Sequence, residues 1–330
     1  MPVTRTAVPR SVVDAVAELV ATIATERGSP CVEAHNVLDC KPGQRAVLLV
    51  ELCEPVVLTG GDGQPVDRLY AKVFDDATRA ERVERTLEVL WHRVRAGNPT
   101  FGLPQPLSSR RNPSLLLIAP VRGRPLAELH ADRAPWAAVG RWLARLHTAD
   151  VALPVRYEMS GELRTLRYWG ADMAAAGVPT ALLDRYRSLI DRTESTAARA
   201  APATVGPVHR DLHQEHVYVD GTDSIGVIDL DEARLGDAHV DLGHLCAHLA
   251  LAAVPSAAVA AVLEAWTVAA GRGVELEPLA LATAMAGLKV ARQRTCGFGP
   301  SPRPIGDDRW PIVARALDLA HDALQGDMPT

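Results

Sequence analysis

VGPVHRDLHQEHVYVDGTDSIGVIDLDEARLGDAHVDLG, residues 205–243, holds two acidic positions that folding brings together. Val217 to Val219 and Ile225 to Ile228 are short runs rich in β-branched residues, and Asp220-Gly221-Thr222-Asp223-Ser224 between them has the composition of a turn. The pattern predicts a β-hairpin. In an antiparallel pair the residue that opens the first strand lies beside the one that closes the second. His216 and Asp229 are therefore expected as cross-strand neighbours, about 5 Å apart at the backbone to within one register step. Asp211 feeds the same end of the hairpin from the preceding loop. Carboxylates gathered in one small volume repel unless a cation lies between them or one works as a base, which points to metal-assisted phosphate chemistry or to acid–base chemistry.

The composition bounds what else the chain can be. Its 330 residues suggest two domains or lobes, and 48% hydrophobic residues suffice for real cores. A net charge of −5 leaves no polybasic face, which argues against nucleic acid and against an anionic membrane as main partner. The five cysteines, Cys31, Cys40, Cys53, Cys246 and Cys296, are scattered and lack C-x-x-C spacing, so reduced thiols and a cytoplasmic setting are expected. The first ten residues have no apolar stretch, and the alanine-rich run 245–263 is broken by His248 and Pro255, so neither signal peptide nor membrane span is expected. Of 35 basic residues only Lys41, Lys72 and Lys289 are lysine. Where arginine is so strongly preferred, a lysine marks a place for a compact ammonium group.

Helical spacing predicts a helix over 11–27 with Ser11 as N-cap and Gly28 at its end. Residues 31–59 alternate as two strands around the Lys41-Pro42-Gly43-Gln44 turn, and a turn at Gly60 to Gly63 leads to a strand over 68–74 that puts Tyr70, Lys72 and Phe74 on one face. A helix is expected over 77–96, carrying Glu81, Glu84 and Glu88, the last two on one face. Pro104 to Pro113 has the composition of a loop, and Ser114 to Pro120 that of a buried strand running into Val121. Helices follow at 134–148 and 180–201. After the hairpin, Asp241 caps a further helix, and three more are expected at 256–270, 277–294 and 309–325.

With His209-Arg210-Asp211-Leu212 followed by Ile228-Asp229-Leu230-Asp231, the chain resembles the protein-kinase-like superfamily, and within it the aminoglycoside phosphotransferase and choline kinase branch. The resemblance covers about residues 30–250. It implies an α+β bilobal fold, with a small N-terminal antiparallel sheet lobe over 1–120 that binds nucleotide and a larger, mainly helical lobe over 121–330 for catalysis and substrate. It implies transfer of the γ-phosphoryl group of ATP, or GTP, to a hydroxyl of a small polar molecule such as an aminoglycoside, an aminocyclitol or a related sugar or nucleoside. Asp211 would accept the proton of the attacking hydroxyl, and Asp229 would hold Mg²⁺. Lys72 would orient the phosphates, paired with Glu84 or Glu88, and the backbone at Ala119 and Val121 would read the base. Asp241 would brace the catalytic loop.

The chain departs from the family at His216, where the second metal ligand is an Asn. Mg²⁺ prefers oxygen, so three outcomes stay open: one metal held through Asp229 alone, a softer ion such as Mn²⁺, or a pseudokinase-like protein that binds nucleotide without turnover. His213 is a candidate phosphate or substrate contact or a structural residue. The basic residues Lys289, Arg292, Arg294, Arg303 and Arg309 sit poorly with a polycationic acceptor and leave a neutral or anionic one open. About a dozen residues separate Asp229 from Asp241, too few for the activation loop of a protein kinase.

Overall fold

A computed structural model describes residues 9–23, 32–41, 45–58, 63–95, 98, 100–129, 133–199, 205–297 and 309–328. The chain divides into two compact units, Met1–Ala96 with Leu103–Val121, and Gly97–Gly102 with Arg122–Thr330.

The first unit is built on β1 (Val32–Lys41), β2 (Arg45–Val57) and β3 (Pro65–Phe74), preceded by α1 (Arg10–Thr22) and followed by α2 (Ala77–Leu90). The short β4 (Phe101–Gly102) belongs to the second unit, and β5 (Pro106–Arg111) and β6 (Ser114–Ile118) complete the first. Its sheet runs in the order β1-β2-β3-β6-β5, antiparallel throughout. Alternation along the strands sends Leu48, Val50, Leu69, Ala71, Leu115 and Leu117 into one core with Val12, Val16, Leu19 and Val20 of α1. Tyr70, Lys72 and Phe74 consequently take the opposite face of β3. Lys72, in register with Val47 and Leu116, is only 6% exposed. An ammonium group buried that deeply is costly unless partnered, and Lys72 has a partner.

Several local expectations change. Ser11 is not the cap of α1, which begins from Pro9 without a side-chain cap bond, so the hydroxyl lies inside the first turn. The expected end of that helix near Gly28, the middle of the Lys41–Gln44 turn, and Gly60 to Asp62 lie outside the described residues. Residues 106–111, read as loop, form β5: Pro-Leu-Ser-Ser-Arg-Arg has no apolar alternation, and this edge strand is held by backbone pairing to β6. Cys53 is disulfide-bonded, which corrects the expectation of five reduced thiols; distance along the sequence says nothing about proximity within a sheet. Cys246 and Cys296 are free and buried.

In the second unit β4, β7 (Arg124–Pro125), β9 (Val217–Asp220) and β10 (Ser224–Val227) form a sheet of order β4-β10-β9-β7, and β8 (Val205–Val208) pairs with β11 (Arg234–Asp237). The hairpin is the one expected, with Val217 opposite Val227 and Asp220 opposite Ser224. Around it lie α3 (Arg133–His147), α4 (Met159–Ala175), α5 (Thr180–Ala197), α6 (His239–Leu251), α7 (Ser256–Ala270), α8 (Leu276–Cys296) and α9 (Trp310–Gln325). Helix α8 is buried on most of its circumference and shares a core with α4, α5 and α9. It also crosses α6 at very short range: a Cβ at Gly243 would lie 2.6 Å from both the Ala282 side chain and the Thr283 nitrogen. Only glycine permits this approach, and side chains of both helices reach the loop between β8 and β9. No described helix is long and apolar enough to cross a membrane.

Candidate active site

The loop from His209 to His216 leaves β8 and enters β9, and a single buried carboxylate sets its shape. Asp241, in the first turn of α6 and with its side chain fully buried, accepts hydrogen bonds from the backbone N–H of His209 at 2.7 Å and of Arg210 at 2.6 Å. A third comes from His147 Nε2 at 3.0 Å. The indole N–H of Trp266 can only donate, and it donates to His147 Nδ1 at 3.0 Å, so the ring proton of a neutral His147 sits on Nε2 and points at Asp241. Burial pushes the Asp241 carboxyl up, but the bonds from His147 and His209 outweigh it and hold the pKa below 3.8. Arg210 occupies the left-handed region at φ 72°, unusual for a long side chain, and is pinned by ion pairs to Glu162 on α4 and to Glu232. His209 is wholly structural: its Nδ1 accepts from the Asp211 N–H and its Nε2 donates to the Ile228 carbonyl at 2.9 Å.

So held, Asp211 presents a partly exposed carboxylate, 28% accessible. Lys289 of α8 donates to its Oδ1 at 2.8 Å and to the Arg210 carbonyl at 3.3 Å. His244 of α6 donates through Nδ1 to the Leu212 carbonyl at 3.0 Å, which turns the lone pair of Nε2 toward Asp211 Oδ1, 3.6 Å away. Burial raises the Asp211 pKa, while the charge of Lys289 foremost, together with its hydrogen bond, overcomes it and holds the carboxyl well below 3.8. Asp211 is thus a permanently ionised, weakly basic carboxylate.

The second acidic position lies where the hairpin was expected to put it. Ile228 donates its N–H to the His216 carbonyl at 3.0 Å, one step past the last ladder pair, and His216 Nε2 is 3.9 Å from Asp229 Oδ2. Because His216 donates through Nδ1 to the Asp211 carbonyl at 2.9 Å, its Nε2 faces Asp229 as an acceptor. Asp229 itself takes the left-handed region at φ 63°.

Around this centre the imidazoles stack in sequence. His209 and His216 are 5.7 Å apart by ring centroid, His216 and His213 3.7 Å, His213 and His248 5.0 Å, and His248 and His244 4.6 Å. Burial depresses the pKa of His213, takes those of His216 and His248 down to about 3, and puts that of His244 well below 6.5. At His216 and His248 the unfolded chain therefore binds protons near pH 6.5 that the folded chain refuses until about pH 3. The stability these rings confer is complete above pH 6.5 and is lost as pH falls toward 3. Denaturant unfolding at pH 7 and pH 5 should differ by roughly 2 kcal/mol for each of His216 and His248. His248→Asn should flatten the pH dependence, and a flat profile in the native protein would contradict the neutral stack.

Of the residues singled out from the sequence, Asp211, His213, His216 and Asp229 share this centre. Lys72, Glu84, Glu88, Ala119 and Val121 lie in the first unit. There Glu84 is half-buried and Glu88 exposed, while Glu81 pairs with Arg111. The N–H of Ala119 donates to the Gln105 carbonyl at 2.9 Å, which removes it as a donor for a bound base. Sequence reasoning missed Lys289 and His244 as neighbours of Asp211. The scarcity of lysine, applied to Lys72, applied equally to Lys289.

The comparisons agree with this geometry. The model of the phosphotransferase enzyme family matches residues 54–281. Among solved structures, a spectinomycin phosphotransferase in complex with ADP and spectinomycin superposes with a TM-score of 0.66 at 12% identity, over 94% of this chain and 98% of that one. A choline kinase from Cryptosporidium parvum gives 0.67 at 10% identity over 95% of each chain. A macrolide 2′-phosphotransferase from Brachybacterium faecium gives 0.55 at 17% identity, over 92% of this chain and 98% of that one. Among curated proteins, none matches the sequence. A family match over most of the chain, joined to a kinase-like fold, identifies the protein as a member of the phosphotransferase enzyme family and a small-molecule phosphotransferase.

Proposed function

We propose that the enzyme moves the γ-phosphoryl group of ATP to a hydroxyl of a small polar molecule, with Asp211 aligning and deprotonating that hydroxyl. The observation that carries this reading is the ionised, accessible carboxylate of Asp211 on a loop fixed by Asp241. Phosphoryl transfer asks little covalent chemistry of a protein and much positioning, and a rigid loop supplies it. The acceptors of Asp229 and His216 fit a divalent cation such as Mg²⁺, although the imidazole nitrogen is a softer donor than the ion prefers. When bound, the ion would offset charge on the nucleotide phosphates. Lys72 is read as the phosphate-orienting ammonium, the carbonyl of Ala119 and the backbone of Val121 as the groups that read the base, and His213 as a structural member of the imidazole stack.

The test is incubation with ATP, Mg²⁺ and a panel of sugars, aminocyclitols and nucleosides, with phosphorylated product detected by mass spectrometry. Nucleotide binding without transfer to any acceptor would count against the reading. Within that assay Lys72→Met should lower kcat/KM for ATP about a hundredfold, the usual effect of removing one preorganised charge from a transition state. An unchanged value would remove Lys72 from the nucleotide site.

A further inference from the structure

The wall beside Asp211 is a pocket lined by Tyr157, Met159, Val240, Ala282, Met285 and Ala286, with Glu162, Arg210, His244 and Lys289 as its polar members. Its apolar part comes from α4, α6 and α8, with Tyr157 just before α4. Its charges cancel internally. Glu162 is spent on Arg210, Asp211 is spent on Lys289, and the next carboxylate, Glu232, is engaged by Arg210 and Arg234. A site for a polycation needs carboxylates not already committed to the protein's own cations, and each carboxylate named here has one. Lys289 is the decisive case. It reaches the base from α8, donates to it at 2.8 Å, and is itself only 16% exposed.

Building on the kinase reading above, we propose that Lys289 determines acceptor specificity, so that the enzyme phosphorylates neutral hydroxyl compounds with an apolar face and excludes amino alcohols and aminoglycosides. A substrate ammonium brought to this centre would meet that of Lys289, and like charges in a partly desolvated site repel strongly. A neutral hydroxyl meets no such penalty, and Met159, Met285 and the alanines of α8 offer its carbon skeleton a surface to cover.

The experiment compares matched acceptors that differ by one amino group, glucose against glucosamine and adenosine against 2′-amino-2′-deoxyadenosine, with kanamycin as polycation. In the wild type, kcat/KM for the hydroxyl member should exceed that for the amino member by about a hundredfold. In Lys289→Ala the ratio should fall about tenfold or more, because the amino group of the acceptor now replaces the lost ammonium. Lys289→Arg keeps the charge and should keep the discrimination, which separates a charge effect from a folding defect. A readout independent of turnover uses n-propylamine. It should raise the Tm of Lys289→Ala by filling the vacated place, and leave the wild type and the Asp211→Asn, Lys289→Ala double variant unmoved. Efficient phosphorylation of kanamycin by the wild type, or a ratio unaltered in Lys289→Ala, overturns the specificity proposal and leaves the kinase reading standing. Absence of transfer to every acceptor, or transfer that survives Asp211→Asn, overturns both.

Discussion

Replacing Asp211 by asparagine should lower kcat about a thousandfold while nucleotide affinity stays close to that of the native enzyme. The substitution isolates the proton acceptor from everything else. An asparagine carbonyl still accepts from Lys289, and the loop keeps its hydrogen bonds to Asp241, because those are made by the backbone of His209 and Arg210. What is lost is a negative charge able to take a proton. The native carboxyl is held well below 3.8, chiefly by Lys289, against the opposing effect of burial. Asp211 should therefore contribute no acid limb to the rate between pH 5 and pH 8. A carboxylate this weakly basic has little pull on a hydroxyl proton in the ground state. As the proposed base it would accept that proton late, once bond formation to phosphorus has made the hydroxyl acidic, which suits a loose transition state. Single-turnover measurement of product, with nucleotide affinity from calorimetry, separates the two quantities. A kcat within a few-fold of native would remove Asp211 from the role of base.

How much of this centre the sequence discloses depends on how far apart its members lie along the chain. The hairpin is legible because both strands, their turn and both acidic residues fall within about twenty positions. The relation of His216 to Asp229 then follows from strand pairing alone, and the structure puts their side chains 3.9 Å apart. Helices α3 and α9 are legible because their apolar periodicity is long, and α7 and α8 because they are long runs rich in alanine and leucine. Helix α4 escaped notice: Gly161, Gly170 and exposed residues such as Arg164 and Tyr168 dilute its apolar stripe. Lys289 and His244 belong to helices whose residues are buried on nearly every side, so no periodic signal separates a residue facing Asp211 from one facing the core. They meet Asp211 beside the close approach of α6 to α8 at Gly243, a tertiary contact that local periodicity does not disclose. The expected role of Asp241 as brace is observed, but its contact with His147, across 94 positions, is invisible to local reasoning.

That contact leads to the largest expected loss of stability. Asp241→Ala should destabilise the protein by about 3–5 kcal/mol and lower kcat by about a hundredfold or more. The carboxylate is fully buried and takes three hydrogen bonds, so truncation strands the N–H groups of His209 and Arg210 and the ring N–H of His147 where water does not compensate. Trp266 fixes the His147 tautomer, so the ring cannot relieve the loss by moving its proton. Asparagine is no remedy: one of its two positions is an NH₂ group, which would confront a backbone N–H and leave the Arg210 or the His209 amide unpaired. Asp241→Asn should therefore resemble Asp241→Ala in kcat. His147→Phe, which removes one donor and leaves both loop contacts, should cost stability but spare most of the rate. Denaturant unfolding together with turnover would test this ordering. A native-like rate in Asp241→Asn would mean that the backbone of residues 209 and 210 is held by something other than this carboxylate, and that the loop geometry on which Asp211 depends has a different origin.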